Sequence, residues 1–209
     1  MSTVAIRKYS VAEYLSREAV SIVRHEYYGG EIFAMAGNTP QHNKIQGNLY
    51  YRLRQALEGS PCDPFGSDQR IRIEAVNLFT YSDVVVICGE FELAADDPMS
   101  VTNPRVIFEI LSPSTEAYDR GEEFEFYQHL ASLQEYILVS QDRAHVDRFV
   151  RQPDGDWRLR PFTGLEDTLE IESLKCRIPL ALVYENVKFA PPLGVQDAGV
   201  NKTDNGTTH

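Results

Sequence analysis

The 209-residue sequence contains no apolar run near the roughly 20 residues that a membrane-spanning helix needs. Its N-terminal stretch also lacks the apolar core and small-residue cleavage site of a secretory signal. We therefore expect a protein without a membrane anchor, located in the cytoplasm. Hydrophobic residues still make up 43% of the chain, which is typical of a globular domain with a buried core.

Cysteine is scarce. Cys62, Cys88 and Cys176 are widely spaced and form no CxxC pair. This set is typical neither of a disulfide scaffold nor of a thiolate zinc site. We therefore expect three ordinary reduced thiols.

Lysine is rare too, with 5 lysines beside 15 arginines in a chain of net charge −11. Strong non-specific binding to nucleic acid is not expected, because phosphate affinity comes mainly from lysine and arginine. A local basic groove for weak DNA binding remains open, since arginine forms a fork that suits phosphate. Its candidates are Arg70, Arg72 and Arg105, and the simpler alternative is that these are solvated strand residues.

Local signals predict two elements near the start of the chain. Ser10 and Glu13 form a capping box that opens a short helix to about Glu18. Further on, Gly29-Gly30 lies between two strand-like arms and predicts a hairpin turn.

A longer helix is predicted to begin at Thr39-Pro40, where a capping hydroxyl precedes a proline at the first helical position. We expect Gly59 to end it. Its apolar face recurs at steps of four residues, at Ile45, Leu49, Leu53 and Leu57.

We expect a second helix that begins after residues 112–114, extends to about Leu130 and covers one side of a sheet. We expect a single domain over residues 1–189. Residues 190–209 are rich in Pro, Gly, Asn, Asp and Thr, so a flexible tail is predicted there.

One carboxylate lies inside an otherwise apolar, strand-like run over residues 103–115. Alternation along a strand puts Ile107, Glu109 and Leu111 on one face. A lone buried carboxylate is costly, so Glu109 calls for a cation, a hydrogen-bonding partner or a proton of its own.

A second acid, Asp83, opens the β-branched run that follows it and shares a face with Val85 and Ile87. If the two strands are neighbours in one sheet, Asp83 and Glu109 converge. The resulting oxygen-rich pocket would suit a hard divalent ion such as Mg²⁺ or Mn²⁺.

These acids belong to a wider pattern along most of the chain. Its members are Glu31, His42, Asp83, the run 109–115 and Asp119-Arg120-Gly121 before an aromatic helix. The pattern resembles the Uma2 family, also known as DUF820, of the PD-(D/E)XK nuclease superfamily.

The resemblance implies an α+β, restriction-endonuclease-like core: a mixed central β-sheet flanked by helices, with acids around a divalent metal. Asp83 and Glu109 would hold the metal, with the main-chain carbonyl of Ile110 as a further ligand. Glu31 would be an additional acid, and His42 a site histidine of undefined role. The alternatives are an exposed Glu31 beside its turn and a His42 that only caps its helix.

The sequence departs from the superfamily pattern at the positions where a positively charged lysine side chain is usual. Leu111 occupies the usual lysine position, and the helix position that replaces it in this family is Glu123. Lys44 is the only lysine between Lys8 and Lys175. Arg120 is the candidate source of positive charge, although it cannot accept a proton and an ion pair is its alternative role.

Three functions follow from these expectations. The first is a Mg²⁺-dependent endonuclease that cleaves DNA as a homodimer. The second is a catalytically degenerate nuclease fold that acts as a homo-oligomeric interaction module, as Glu123 would favour. The third is metal-assisted hydrolysis of another phosphate ester.

Overall fold

We describe residues 7–35 and 37–189 from a computed structural model of the chain. The predicted tail at 190–209 lies outside these residues. The helices are α1 (Val11–Glu18), α2 (Pro40–Ala56), α3 (Glu116–Asp119), α4 (Glu122–Tyr127) and α5 (Leu180–Val183). The first seven strands are β1 (His25–Tyr28), β2 (Glu31–Ala34), β3 (Cys62–Gly66), β4 (Arg70–Ile73), β5 (Leu78–Tyr81), β6 (Val84–Cys88) and β7 (Leu93–Ala94). The later strands are β8 (Asp97–Val101), β9 (Pro104–Leu111), β10 (Glu135–Ser140), β11 (His145–Arg151), β12 (Trp157–Thr163), β13 (Thr168–Ile171) and β14 (Cys176–Pro179).

The fold is α+β, as predicted, and its strands form two mixed six-stranded sheets. The first sheet has the order β2-β1-β5-β4-β8-β7, and the second has the order β12-β11-β10-β9-β6-β3. In the second sheet β9 runs parallel to β10 and antiparallel to β6. The remaining pair, β13 and β14, is a two-stranded antiparallel ribbon.

The central strands of the second sheet, β10, β9 and β6, are buried on both faces, whereas the edge strand β12 is largely exposed. One face packs under α2, whose residues Ile45, Leu49 and Leu53 are fully buried against it. The other face packs against α4 and against strands of the first sheet. The sheet is therefore flanked by helices, as predicted, and also by a second sheet. The central strand β9 therefore lies in the core, and only its ends approach solvent.

Local signals at the helix starts hold in the structure. The Ser10–Glu13 capping box is formed, and Thr39 Oγ1 accepts the His42 amide at the start of α2. The apolar run predicts α2 well because its buried face repeats at the helical period. At 17 residues α2 is the longest described helix, and none of the described helices is suited to crossing a bilayer.

The predicted helix up to Leu130 is wrong in one respect. The chain forms two short helices, α3 and α4, with a break at Arg120-Gly121. Gly121 has φ −117° and ψ −103°, outside the helical region, and glycine is a poor helix former because of its conformational freedom. The break turns α4 so that its apolar residues meet the sheet.

The prediction of three reduced thiols is also wrong. Cys62 and Cys88 form a disulfide, because the β3–β6 register places them directly opposite each other with Cα atoms 3.9 Å apart. Such pairing depends on strand register, which the wide sequence spacing conceals. Cys176 is a buried free thiol, as expected.

Candidate active site

Asp83 and Glu109 lie side by side at the ends of two neighbouring strands. The β6–β9 register pairs Val84 with Phe108, so the next positions bring the two acids together. The Asp83 amide donates to Glu109 Oε2 at 3.1 Å, and the Ile110 amide donates to Asp83 Oδ2 at 2.8 Å. The convergence expected from strand alternation is therefore present, and metal binding by these residues stays a prediction.

His42 positions Asp83. Its Nε2 lies 3.0 Å from Asp83 Oδ2, and the side chain is buried in the first turn of α2. One turn further along α2, the Gln46 side-chain amide donates to the Asp83 carbonyl at 2.7 Å. Two residues on one helix face thus fix the carboxylate and its backbone, which goes beyond a capping role for His42.

Glu109 is almost fully buried behind this pair. The Tyr127 hydroxyl donates to its Oε1 at 3.1 Å. Burial raises the pKa of Glu109 well above its usual range, and the nearby charges of Glu123 and Asp83 add to that effect. Of the three ways named above to stabilise a buried carboxylate, Glu109 therefore has two: a hydrogen-bond partner and a tendency to hold a proton.

Two acids from the helical segment complete this side of the site. Glu123 is buried, and its two carboxylate oxygens lie 3.2 Å from the Tyr127 hydroxyl and 3.4 Å from the Tyr136 hydroxyl. Burial and then the charge of Asp119 raise its pKa. Asp119 accepts from the Thr115 hydroxyl at 2.8 Å, and burial raises its pKa to about 6.

A further acid, Glu26 on β1, was not among the sequence candidates. It lines the same cleft and accepts a hydrogen bond from Thr80, and burial raises its pKa. Alternation puts Glu26 on the face of Tyr28, whose ring packs 4.6 Å from that of Phe126 on α4. The position of Glu26 in the site thus depends on packing between distant elements, which the sequence pattern does not show.

Glu31, the hairpin acid named from the sequence, lies elsewhere. It forms an ion pair with Lys8, with 2.7 Å between Nζ and Oε1, and it does not line the cleft. The structure therefore brings Asp83, Glu109 and His42 together and leaves Glu31 outside.

Arg120 does not turn toward the acids either. Its Nε donates to Glu116 and its guanidinium donates to Asp147, each at 2.8 Å. It is absent from the cleft lining among the described residues. The alternative role named for it, an ion pair, is the one observed.

Two of the three arginines considered for a basic groove also form ion pairs with nearby acids. Arg70 bonds Asp97 at 2.6 Å and Arg72 bonds Asp96 at 2.9 Å, so neither is a solvated strand residue nor a free phosphate fork. Arg105 lies near the start of β9, four positions before Glu109 and about 13 Å from it along an extended strand. These three residues therefore do not build a groove beside the acids.

The acids open into a cleft of about 790 Å³. Five of its lining residues are carboxylic acids, namely Glu26, Asp83, Glu109, Asp119 and Glu123. Arg24 is the one lysine or arginine in the described lining, and it bonds Asp68 at 2.7 Å. The cleft thus concentrates carboxyl groups that have no lysine or arginine partner among the described residues.

The donor set fits a hard divalent cation in its chemistry. The site offers carboxylate oxygens, which Mg²⁺ and Mn²⁺ prefer, and it lacks counter-charge. Within residues 7–35 and 37–189, no group of three or more histidine, cysteine, aspartate or glutamate side chains is arranged so that it could hold a metal ion. A Mg²⁺ ion held by only two protein carboxylates would take its other ligands from water or substrate, as is usual for this ion.

The fold and this acidic cleft define the chain as a nuclease-like α+β protein. The sequence model of the Uma2 family, described as "Putative restriction endonuclease", matches residues 11–182. The chain belongs to the Uma2 family.

Two relatives from Synechocystis sp. (strain ATCC 27184 / PCC 6803 / Kazusa) support this membership. Uncharacterized protein slr1290 is 35% identical over 182 residues, which cover 87% of this chain and 94% of that protein. Uncharacterized protein sll1609 is 34% identical over 166 residues, which cover 79% of this chain and 94% of that protein.

A solved structure shares the fold. It is the crystal structure of a "putative nuclease belonging to DUF820" from Anabaena variabilis ATCC 29413. The two structures superpose with a TM-score of 0.67 over 83% of this chain and 96% of that one, at 15% sequence identity. This likeness confirms the nuclease-type fold expected from the sequence.

Proposed function

We propose that this protein is a divalent-cation-dependent endonuclease that hydrolyses DNA phosphodiester bonds. Asp83 and Glu109 would hold Mg²⁺ or Mn²⁺, with the main-chain carbonyl of Ile110 as a further ligand. The observation that carries the proposal is the hydrogen-bonded pairing of Asp83 with the Glu109 strand end, in a cleft whose described lining has five carboxylic acids and one arginine that Asp68 already engages. Membership of a family described as "Putative restriction endonuclease" supports the same class of reaction.

The protein's own residues prepare this site. His42 holds Asp83 Oδ2 through its Nε2, which leaves the other carboxylate oxygen for a ligand. Tyr127 holds Glu109 Oε1 by a hydrogen bond. When bound, the cation supplies Lewis-acid charge at the phosphate and lowers the pKa of a water molecule that attacks phosphorus.

Glu123 determines how fast such a site works. A cation beside the reacting phosphate stabilises the charge that builds up in the transition state, and loss of one such group typically costs about a hundredfold or more in rate. The buried Glu123 supplies no positive charge, and Arg120 is engaged by Glu116 and Asp147. Cleavage is therefore expected to be slow.

The second candidate is a nuclease fold that no longer cleaves and acts as a homo-oligomeric interaction module. The specific observation in its favour is Glu123, which reverses the charge required at that position. Both candidates predict the same fold, so only activity separates them. A homodimer belongs to the proposal, because cutting both DNA strands is commonly done by paired subunits. A cytoplasmic location, expected from the sequence, is proposed with it.

A plasmid-nicking assay with Mg²⁺ or Mn²⁺ tests the proposal on the parent, Asp83→Ala and Glu109→Ala. Metal-dependent nicking that both substitutions abolish supports the endonuclease. Asp156→Ala, which alters an exposed acid in the β11–β12 turn, is the matched control and keeps the parent rate. Nicking unchanged by both site substitutions would rule the assignment out.

A further inference from the structure

One side of the cleft is aliphatic. Ile22 and Val23 from the α1–β1 loop, with Ala34 and Met35 at the end of the β1–β2 hairpin, line it together. We call these four residues the aliphatic wall. The acids named above line the same cleft, so one cavity combines an apolar surface with a dense set of carboxylates.

The wall is unusually exposed for its composition. Ile22 is fully exposed, Val23 is 45% exposed, and the adjacent Val20 is 83% exposed. Contiguous exposed aliphatic side chains commonly mark a binding surface. Their position at the mouth of the candidate active site connects that surface with the substrate.

The loop that carries the wall is held by its own hydrogen bonds. The Ser21 hydroxyl donates to the Val23 carbonyl at 2.6 Å and accepts from the Val23 amide at 3.2 Å. At its base, the Met35 amide donates to the Arg24 carbonyl at 3.0 Å, which joins the loop to the hairpin. The aliphatic side chains are therefore displayed by a turn with defined structure.

We propose that the aliphatic wall binds the faces of nucleobases, so that the substrate is a nucleic-acid strand with unstacked bases beside the bond to be cut. This inference rests on the proposed function and names its substrate class. A nucleotide has two chemically distinct parts that match the cleft. The phosphate needs a cation, which the carboxylates would hold, and the base offers an apolar face.

The charges of the cleft do not themselves attract a phosphate backbone, so nucleic-acid affinity has to come from other contacts. Non-specific affinity for nucleic acid normally comes from lysine and arginine contacts to phosphate. The described cleft lining offers only Arg24, which Asp68 already engages. Apart from a bound cation, the source of affinity that the cleft offers is apolar contact with bases, and a base can meet the aliphatic wall only when it leaves the stack.

The test measures binding of a fluorescein-labelled single strand, and of the matching duplex, in Ca²⁺. The proteins are the parent, the double variant Ile22→Ser/Val23→Ser, and Leu159→Ser. Leu159 is 50% exposed on β12, outside the cleft, so it controls for loss of an exposed aliphatic side chain. Because Ile22 is solvated, the double variant is expected to fold, and circular dichroism checks this.

The parent is expected to bind the single strand more tightly than the duplex. The double variant should lose roughly tenfold in single-strand affinity, the effect of removing buried aliphatic contact. Leu159→Ser should bind like the parent. The salt dependence of binding should keep its slope, since no phosphate contact changes. A strand of abasic sites should bind the parent and the double variant equally.

Two outcomes would overturn the inference. One is single-strand affinity that the double variant leaves unchanged. The other is a shift from dimer to monomer in the double variant with unchanged binding, which would assign the wall to a second copy of the chain.

The nicking assay separates this inference from the proposed function. Nicking that depends on Asp83, with base binding that ignores the wall, leaves the endonuclease and rejects the base contact. Binding that depends on the wall, without any nicking, leaves the base contact and rejects the endonuclease.

Discussion

Glu109 and Glu123 share one hydrogen-bond donor: the Tyr127 hydroxyl oxygen lies 3.1 Å from Glu109 Oε1 and 3.2 Å from Glu123 Oε1. A phenol carries a single proton, so it donates to one of these carboxyl oxygens at a time. Burial raises the pKa of both acids; the charge of Glu123 adds to the shift of Glu109, and the charge of Asp119 adds to the shift of both. A protonated carboxyl group at one of the two positions relieves this conflict.

Glu123→Gln should therefore stabilise the protein in the absence of metal. Glutamine keeps the shape and the oxygen acceptor of Glu123 but removes a buried negative charge. We expect the free energy of unfolding in urea at pH 8 to rise by on the order of 1 kcal/mol, the low end of the gain seen when buried charged groups are replaced. Glu125→Gln, on the exposed side of α4, should leave it unchanged. A loss of stability in Glu123→Gln would show that the ionised carboxylate is required.

Glu123→Lys should increase DNA cleavage. A lysine at this position would place an ammonium group among Glu109, Asp119 and Glu26, where transition-state charge can be stabilised. The expected gain in nicking rate is roughly a hundredfold. Glu125→Lys controls for added positive charge at the surface. If folded Glu123→Lys protein cuts no faster than the parent, the non-enzymatic alternative gains.

Mg²⁺ should stabilise the parent against thermal unfolding at pH 7.5. The five acids of the cleft have no lysine or arginine partner among the described residues, so a cation offsets their repulsion. At a Mg²⁺ concentration about a hundredfold above the dissociation constant, the gain is about 2.7 kcal/mol. Calorimetric titration and the melting temperature both measure it.

Asp83→Asn should remove most of this Mg²⁺ effect, and Asp156→Asn should retain it. An equal gain in melting temperature for Asp83→Asn and the parent would place the ion at other acids.

Features set by local sequence were predictable. The start of α2 at Pro40 follows from a cap and a proline, and the meeting of Asp83 with Glu109 follows from strand alternation. Both depend on residues close in sequence or on one assumed pairing of two strands.

Features set by packing between distant elements were not predictable. Glu26 enters the site because its hairpin packs on α4, whereas Glu31, closer to the family pattern, faces Lys8. The Cys62–Cys88 bond likewise requires the register of β3 on β6. A one-residue change of that register would move the side chain of Cys62 or of Cys88 to the opposite face of the sheet.

His42→Gln should weaken Mn²⁺ binding. His42 Nε2 lies 3.0 Å from Asp83 Oδ2 and fixes the orientation of that carboxylate. Removing a residue that orients a metal ligand typically costs 10- to 100-fold in affinity, so a loss of roughly that size is expected. Titration followed by Mn²⁺ electron paramagnetic resonance measures it. His129→Gln, at an exposed position, is the control and should bind Mn²⁺ like the parent.

Stability without metal should fall as pH rises from about 4 to 7, and Asp119 should account for part of the fall. Burial raises the pKa of Asp119 from its usual 3.8 to about 6 in the folded protein. Between these values the folded state holds a proton that the unfolded state has released, so the free energy of unfolding decreases with rising pH. The contribution present at low pH is lost as pH passes through about 6.

Asp119→Asn should show a smaller fall, because asparagine keeps an acceptor for the Thr115 hydroxyl and does not titrate. Urea unfolding at a series of pH values measures the difference. The slope should not vanish in Asp119→Asn, since burial raises the pKa of Glu26 and Glu123 in the same direction. Identical slopes in the parent and Asp119→Asn would show that Asp119 is ionised in the folded protein across this range.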